Sequence, residues 1–186
     1  MARALILVDV QKDFCPGGSL ATERGDEVAG KIGAYQLSHG SEYDVVVATQ
    51  DWHIDPGEHF SETPDFKNSW PIHCVADSDG AAMHDRINTD SIDEFFRKGH
   101  YTAAYSGFEG TAVSEELLMS PWLKNKGVTD VDIVGIATDH CVRATALDAL
   151  KEGFNVSILT SMCSAVDFHA GDHALEELHE AGAILI

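Results

Sequence analysis

The chain has 186 residues, 44% hydrophobic and 23% charged, an ordinary globular composition long enough for one substantial core. Twelve basic residues against 31 acidic ones give a formal charge of −19, which repels phosphate backbones and anionic lipid surfaces and argues against nucleic-acid or membrane partners. The first apolar run, Ala4 to Val8, is too short to span a bilayer and no basic segment with a cleavage site precedes it, so a cytoplasmic protein is expected.

In chain order, Ala4 to Val8 predicts a first strand ending at Asp9, and the Cys15-Pro-Gly-Gly18 stretch a loop. Val28, Ile32 and Tyr35 recur at helical spacing from Asp26, with Gly40 as a C-cap. Asp44 to Thr49 predicts a second strand, just before Asp51. A segment rich in Pro, Gly, His and Trp follows, from Trp52 to about Gly80. Loops of such length inside a domain are usually functional or disordered, and the aromatic and imidazole groups on this one make it the first site candidate. Glu94 to Lys98 predicts a third strand. A helical stretch is expected from about Val113, interrupted at Ser120-Pro121 and finished by Gly127. Val131 to Ile136 predicts strand four, Cys141 to Leu150 a helix closed by Gly153, and Val156 to Leu159 strand five. Ala174 to Glu180 is the last expected helix and Ala183 to Ile186 a sixth strand.

Strands alternating with helices predict one α/β domain over residues 1–186, a three-layer α/β/α sandwich around a mainly parallel six-stranded sheet. Ligands in such folds bind beyond the carboxyl ends of the strands. Asp9, Asp51, Lys98 and Cys141 each fall at or just past the end of a different predicted strand. Cys15, Cys74, Cys141 and Cys163 are widely spaced with no C-x-x-C pair, as expected of free thiols in a reducing compartment. Of these, Cys141 stands in the first turn of a helix, where unpaired N–H groups and the positive end of the dipole favour a thiolate. The same N–H groups, with that of Ala137, can hold the oxyanion of a tetrahedral intermediate. Asp9 can take the thiol proton and return it to a leaving amine, and Lys98 favours the ionised forms of both.

Asp51, His53, His59 and His73, in and just before a loop at about 51–80, offer one carboxylate and three imidazoles. Alternate residues of an extended segment share a face, so Asp51 and His53 make a workable clamp. Nitrogen and oxygen donors without thiolate suit one divalent transition-metal ion, zinc, iron or manganese.

These residues carry a family resemblance. The run VDVQKDFCPGG from Val8 to Gly18, DWH at Asp51 to His53, DPGEHF at Asp55 to Phe60, WPIHC at Trp70 to Cys74, Lys98-Gly99, YSGF at Tyr105 to Phe108 and GIATDHCVR at Gly135 to Arg143 resemble, in order, the motifs of the nicotinamidase/pyrazinamidase family within the isochorismatase-like hydrolase superfamily. The resemblance implies the isochorismatase-like fold and hydrolysis of nicotinamide, and of pyrazinamide, in NAD salvage. It implies a catalytic triad of Asp9, Lys98 and Cys141, and metal ligation by Asp51, His53, His59 and His73. Phe14, Trp70 and Tyr105 match positions around the pyridine ring, bordered by Ile136 and His140. A non-proline cis peptide is implied between Ile136 and Ala137, aiming the Ala137 N–H at the oxyanion.

Three alternatives remain at this level. Another small-amide cysteine amidase of the superfamily is disfavoured by the metal set and the aromatic trio, and an isochorismatase proper by Cys141. A non-enzymatic metal or thiol sensor needs a resolving thiol beside Cys141, which nothing in the sequence supplies.

Overall fold

Buried apolar runs form the centre of the structure, a computed structural model that describes every residue from Met1 to Ile186. Seven strands, β1 (Ala2–Val8), β2 (Val45–Asp51), β3 (Glu94–Lys98), β4 (Thr111–Ala112), β5 (Val128–Ile136), β6 (Asn155–Ser164) and β7 (Ile184–Leu185), make one sheet in the order β4-β3-β2-β1-β5-β6-β7. Every neighbouring pair is parallel except β3 with β4. Because successive side chains point to opposite faces, β1 serves two cores at once. Ala4, Ile6 and Val8 pack on one side with Met119, Leu123, Val142, Ala146 and Leu178. Leu5 and Leu7 pack on the other with Val28, Ala29 and Ile32. Helix α1 (Gly25–His39) therefore covers one face, and α2 (Met119–Asn125), α3 (Arg143–Lys151) and α4 (Phe168–Glu180) the other. No helix is long and apolar enough to cross a membrane.

The three layers and the mainly parallel sheet are those expected, with corrections to single elements, among them α4, which begins at Phe168 and not at Ala174. The sheet has seven strands and not six, because Thr111 and Ala112 pair antiparallel with Arg97 and Phe96. The helix expected from Val113 does not form before Met119. Glu94, 5% exposed, explains both: its carboxylate accepts the N–H of Val113 at 3.2 Å and the hydroxyl of Ser114, holding this segment against β3. A buried carboxylate that must be satisfied outweighs the weak helical preference of the residues it binds. Ser120 and Pro121 fall in the first turn of α2, where a missing N–H costs nothing. Gly40 follows α1 in helical and not left-handed conformation, with φ −55°, and leads into a further turn.

The chain steps outward from β1 through β2 to β3, then returns to the other side of β1 as β5. The carboxyl ends of β1 and β5 thus flank the switch point of the sheet, where a crevice opens.

Candidate active site and metal centre

Four adjacent strands deliver four reactive side chains to this crevice. Lys98 ends β3, its registered partner Asp51 ends β2, Asp9 follows β1, and Cys141 follows β5. The Lys98 ammonium, 1% exposed, donates to Asp9 Oδ2 at 2.9 Å, to Asp51 Oδ1 at 2.5 Å and to the Ala104 carbonyl at 3.3 Å. Its Nζ also stands 3.7 Å from Cys141 Sγ. Burial opposes its charge, but the carboxylates of Asp51 and Asp9 outweigh this and hold its pKa well above the usual lysine range. Lys98 is therefore a fixed cation joining the thiol to two carboxylates.

Asp9 adopts a left-handed conformation, φ 47°, which turns its carboxyl out of the β1 ladder and under Cys141. Thr49 holds it there, donating from Oγ1 to Asp9 Oδ1 at 2.6 Å and accepting the Asp9 N–H at 3.1 Å. Burial pushes the Asp9 carboxyl up, opposed chiefly by Lys98.

Cys141 lies in a π-helical turn, Thr138–Val142, that runs into α3. The carbonyl of Ala137 closes this turn, accepting from His140 N at 3.1 Å and Val142 N at 3.0 Å. The Ile136–Ala137 peptide is cis. Asp139 ties the turn to the loop after β6 by accepting the N–H groups of Val166 and Asp167 at 2.9 and 3.0 Å. Burial opposes the thiolate that the helix start favours and holds the Cys141 thiol well above its ordinary pKa, Lys98 only partly offsetting this, and Asp9 accepts its hydrogen bond.

Behind the cysteine, His53, His59 and His73 bring one nitrogen each to within 4.8 Å of one another. Parallel bridges of His53 with Val75 and of Phe60 with Trp70 fold the long loop so that they meet. His53 hydrogen-bonds the Gly99 carbonyl through Nδ1 at 2.6 Å, and His73 the Pro71 carbonyl through Nδ1 at 2.7 Å. A carbonyl only accepts, so both rings carry the proton on Nδ1 and present the lone pair of Nε2. Those nitrogens face Asp51 Oδ2 at 3.5 and 3.7 Å. His53 Nε2 and His59 Nδ1 are buried without a hydrogen-bond partner. Burial lowers the His59 pKa to about 4, so it is a neutral donor. Lone pairs and a carboxylate converging in a buried space repel unless a cation lies among them, so the donor set fits a divalent metal.

A second trio, Cys15, Asp26 and His84, also converges within 4.8 Å. There His84 accepts the Arg86 N–H at Nδ1, 3.2 Å, so its proton sits on Nε2 and points at Asp26, 3.1 Å away. That ring offers no lone pair to a metal.

The crevice in front of Cys141 is lined by every aromatic expected there, Phe14, Trp70, Tyr105 and His140, and by Ile136 and Ala137. Trp70 Nε1 donates to Tyr105 OH at 3.2 Å, and His140 meets Trp70 edge-on with ring centroids 5.1 Å apart. Asp51, His59 and His73 reach the same cavity, whereas Asp9, Lys98 and His53 lie behind it. Sequence reasoning missed Leu20, Thr22, Ala104 and Val166 in the lining, and Thr49 and Gln11 behind the carboxylates. The proximity of Leu20 and Thr22 to Gly17-Gly18 was the one available signal.

Comparison with known proteins agrees with this architecture. The isochorismatase domain family matches residues 3–186. A nicotinamidase/pyrazinamidase of Mycobacterium tuberculosis is 50% identical over 184 residues, covering 99% of this chain and 98% of that one. Among solved structures, a pyrazinamidase of Pyrococcus horikoshii in complex with zinc aligns with a TM-score of 0.84 and 36% identity over 100% of this chain and 99% of its own. PnC1 from L. infantum in complex with nicotinate aligns with a TM-score of 0.85 and 35% identity over 100% and 92% of the two chains. With a family match over nearly its whole length and a half-identical relative, the chain belongs to the isochorismatase family.

Proposed function

We propose that this protein is a nicotinamidase, hydrolysing nicotinamide to nicotinate and ammonia, with pyrazinamide as a second substrate, and that it serves NAD salvage in the cytoplasm. The observation that carries the reading is the meeting, on one aromatic-walled crevice, of Cys141 with an Asp9–Lys98 pair and a buried three-histidine set. The four free cysteines suit a reducing compartment.

In this mechanism Phe14, Trp70 and Tyr105 hold the flat ring, and His140 closes its edge. The Cys141 thiol gives its proton to Asp9 as sulfur attacks the carboxamide carbon. A resting neutral thiol requires this transfer, and a carboxylate with a raised pKa is the suitable acceptor. The backbone N–H groups of Ala137 and Cys141 receive the oxyanion. As the C–N bond breaks, Asp9 returns the proton to the leaving amine, giving ammonia and a thioester. Asp9 then takes a proton from water as the water oxygen attacks the thioester, and returns it to the Cys141 sulfur as the C–S bond breaks, restoring the thiol; the released acid gives up its proton to the ammonia and leaves as nicotinate. Lys98 stays protonated throughout and balances whichever of Asp9 or Cys141 bears the charge. Asp51, His53, His59 and His73 would hold the metal, which supplies Lewis-acid coordination for a ring nitrogen or a water when bound.

Ammonia release from nicotinamide, pyrazinamide and a non-aromatic amide tests the reading. We expect turnover of the two aromatic amides, little of the third, and a loss of about 10³-fold or more in Cys141→Ala at unchanged melting temperature. Full activity in that variant, or equal turnover of the aliphatic amide, sinks the assignment.

A further inference from the structure

We propose that Gln11 is a positioning residue for the metal centre, acting through the backbone of Asp51. The inference rests on the reading of Asp51 as a metal donor.

The backbone ladder between β1 and β2 ends at the pair Val8–Thr49, two residues short of Asp51. Asp9 then turns the chain away, with φ 47°. No main-chain group of β1 reaches Asp51; the side chain of Gln11 takes over. Gln11 is fully buried, and its carboxamide forms a reciprocal pair, Oε1 accepting the Asp51 N–H at 2.9 Å and Nε2 donating to the Asp51 carbonyl at 2.8 Å. Its second N–H donates to the Ala81 carbonyl at 2.9 Å. A primary carboxamide offers donor and acceptor side by side as a peptide group does, so Gln11 acts as one more strand residue.

The carboxylate it steadies is divided between two tasks. Oδ1 of Asp51 binds Lys98, and Oδ2 faces the nitrogens of His53 and His73. A small rotation of the Asp51 backbone moves Oδ2 relative to both imidazoles, and outer partners of this kind typically govern metal affinity by about 10–100-fold. Glutamate cannot replace Gln11, since a carboxylate lacks the donor for two carbonyls. Methionine keeps the volume and removes all three hydrogen bonds.

Gln50 provides the control. It also donates to the Ala81 carbonyl, at 3.1 Å, but does not touch the Asp51 backbone through its side chain. The experiment measures zinc affinity by competition with a chromophoric chelator in the parent, Gln11→Met, Gln11→Asn and Gln50→Met proteins, with melting temperature recorded for each. We expect Gln11→Met to bind zinc about 10–100-fold more weakly, Gln50→Met within about threefold of the parent, and nicotinamide turnover of Gln11→Met to recover with added zinc. Gln11→Asn keeps both groups one methylene short and gives a smaller loss, readable if the methionine variant does not fold. Parent-like zinc affinity in a folded Gln11 variant overturns the inference, as does an equal loss in Gln50→Met. A parent that binds no zinc or other divalent transition metal overturns the donor assignment itself.

Discussion

In the proposed mechanism Asp9 must be ionised to accept the thiol proton, yet it is buried beside the carboxylate of Asp51, and both features raise its pKa. Lys98 and the hydroxyl of Thr49 pull the other way, and Thr49 is the one that can be removed without touching the proposed triad. Thr49→Val keeps the shape and deletes both the donor to the Asp9 carboxylate and the acceptor of the Asp9 N–H. A hydrogen bond to a charged group contributes about 1.5–3 kcal/mol, and about 1.4 kcal/mol corresponds to one pKa unit. The sign follows from the base being the carboxylate: losing a donor that favours the anion raises its pKa, so the acid limb of kcat/KM moves to higher pH by about one to two units, with the plateau nearly unchanged. A pH–rate profile on nicotinamide checks this. An unmoved limb in the folded variant would remove Asp9 from the role of base.

At the level of elements, the site depends on how closely β5 approaches β1. Gly135 has φ 127°, and a Cβ there would lie 2.1 Å from the Val8 carbonyl oxygen, a backbone atom that cannot yield cheaply. Gly135→Ala combines left-handed strain with overpacking, each about 1–3 kcal/mol. We expect a loss of about 3 kcal/mol and a melting temperature lower by about 10 °C at this chain length. Gly153→Ala is the contrast: φ is 92° but nothing lies within 4 Å, so the strain stands alone and the loss is about 1 kcal/mol. Calorimetry on both checks the difference, and a Gly135→Ala protein melting like Gly153→Ala would contradict the close approach. The strands bearing this geometry were legible because buried parallel strands are written as apolar runs. β3 falls at its expected bounds, and β1 and β2 within two residues of theirs. Reactive residues at strand ends inherit that legibility, which is why Asp9, Asp51, Lys98 and Cys141 could be named together. β4 and the π-helical turn were not legible, since two residues carry no period and the turn depends on an acceptor at Ala137. The start of α4 was signalled by Asp167, which caps Ala170 N–H at 2.8 Å, but Gly171 weakens the helical pattern behind it. Gln11 and Thr49 were illegible as site residues because what they bind comes from other strands.

For the whole molecule, the charge of −19 acts on stability and traffic separately. Several basic residues are already paired, Arg24 and Lys31 with Glu27, Lys124 with Glu152 and Arg143 with Glu177, leaving a large acidic excess to repel itself. Salt screens both terms. Exposed ion pairs contribute about 0–1 kcal/mol each, while raising ionic strength from 0.01 to 1 M shortens the Debye length from about 30 to about 3 Å and removes long-range repulsion among all the carboxylates. Repulsion wins on count, so we expect the melting temperature in chloride to rise by about 5 °C across that range, about 2 kcal/mol for a chain of this size. Chloride is the appropriate salt because sulfate would add stabilisation by exclusion from the surface. A fall in melting temperature would mean that the ion pairs dominate. Catalysis should respond differently. Under the proposed reaction the substrate is a neutral amide and the product an anion, so entry gains nothing from the field while departure is aided by it. kcat/KM for nicotinamide should therefore stay flat over the same salt range, and inhibition by nicotinate should strengthen as salt screens the repulsion.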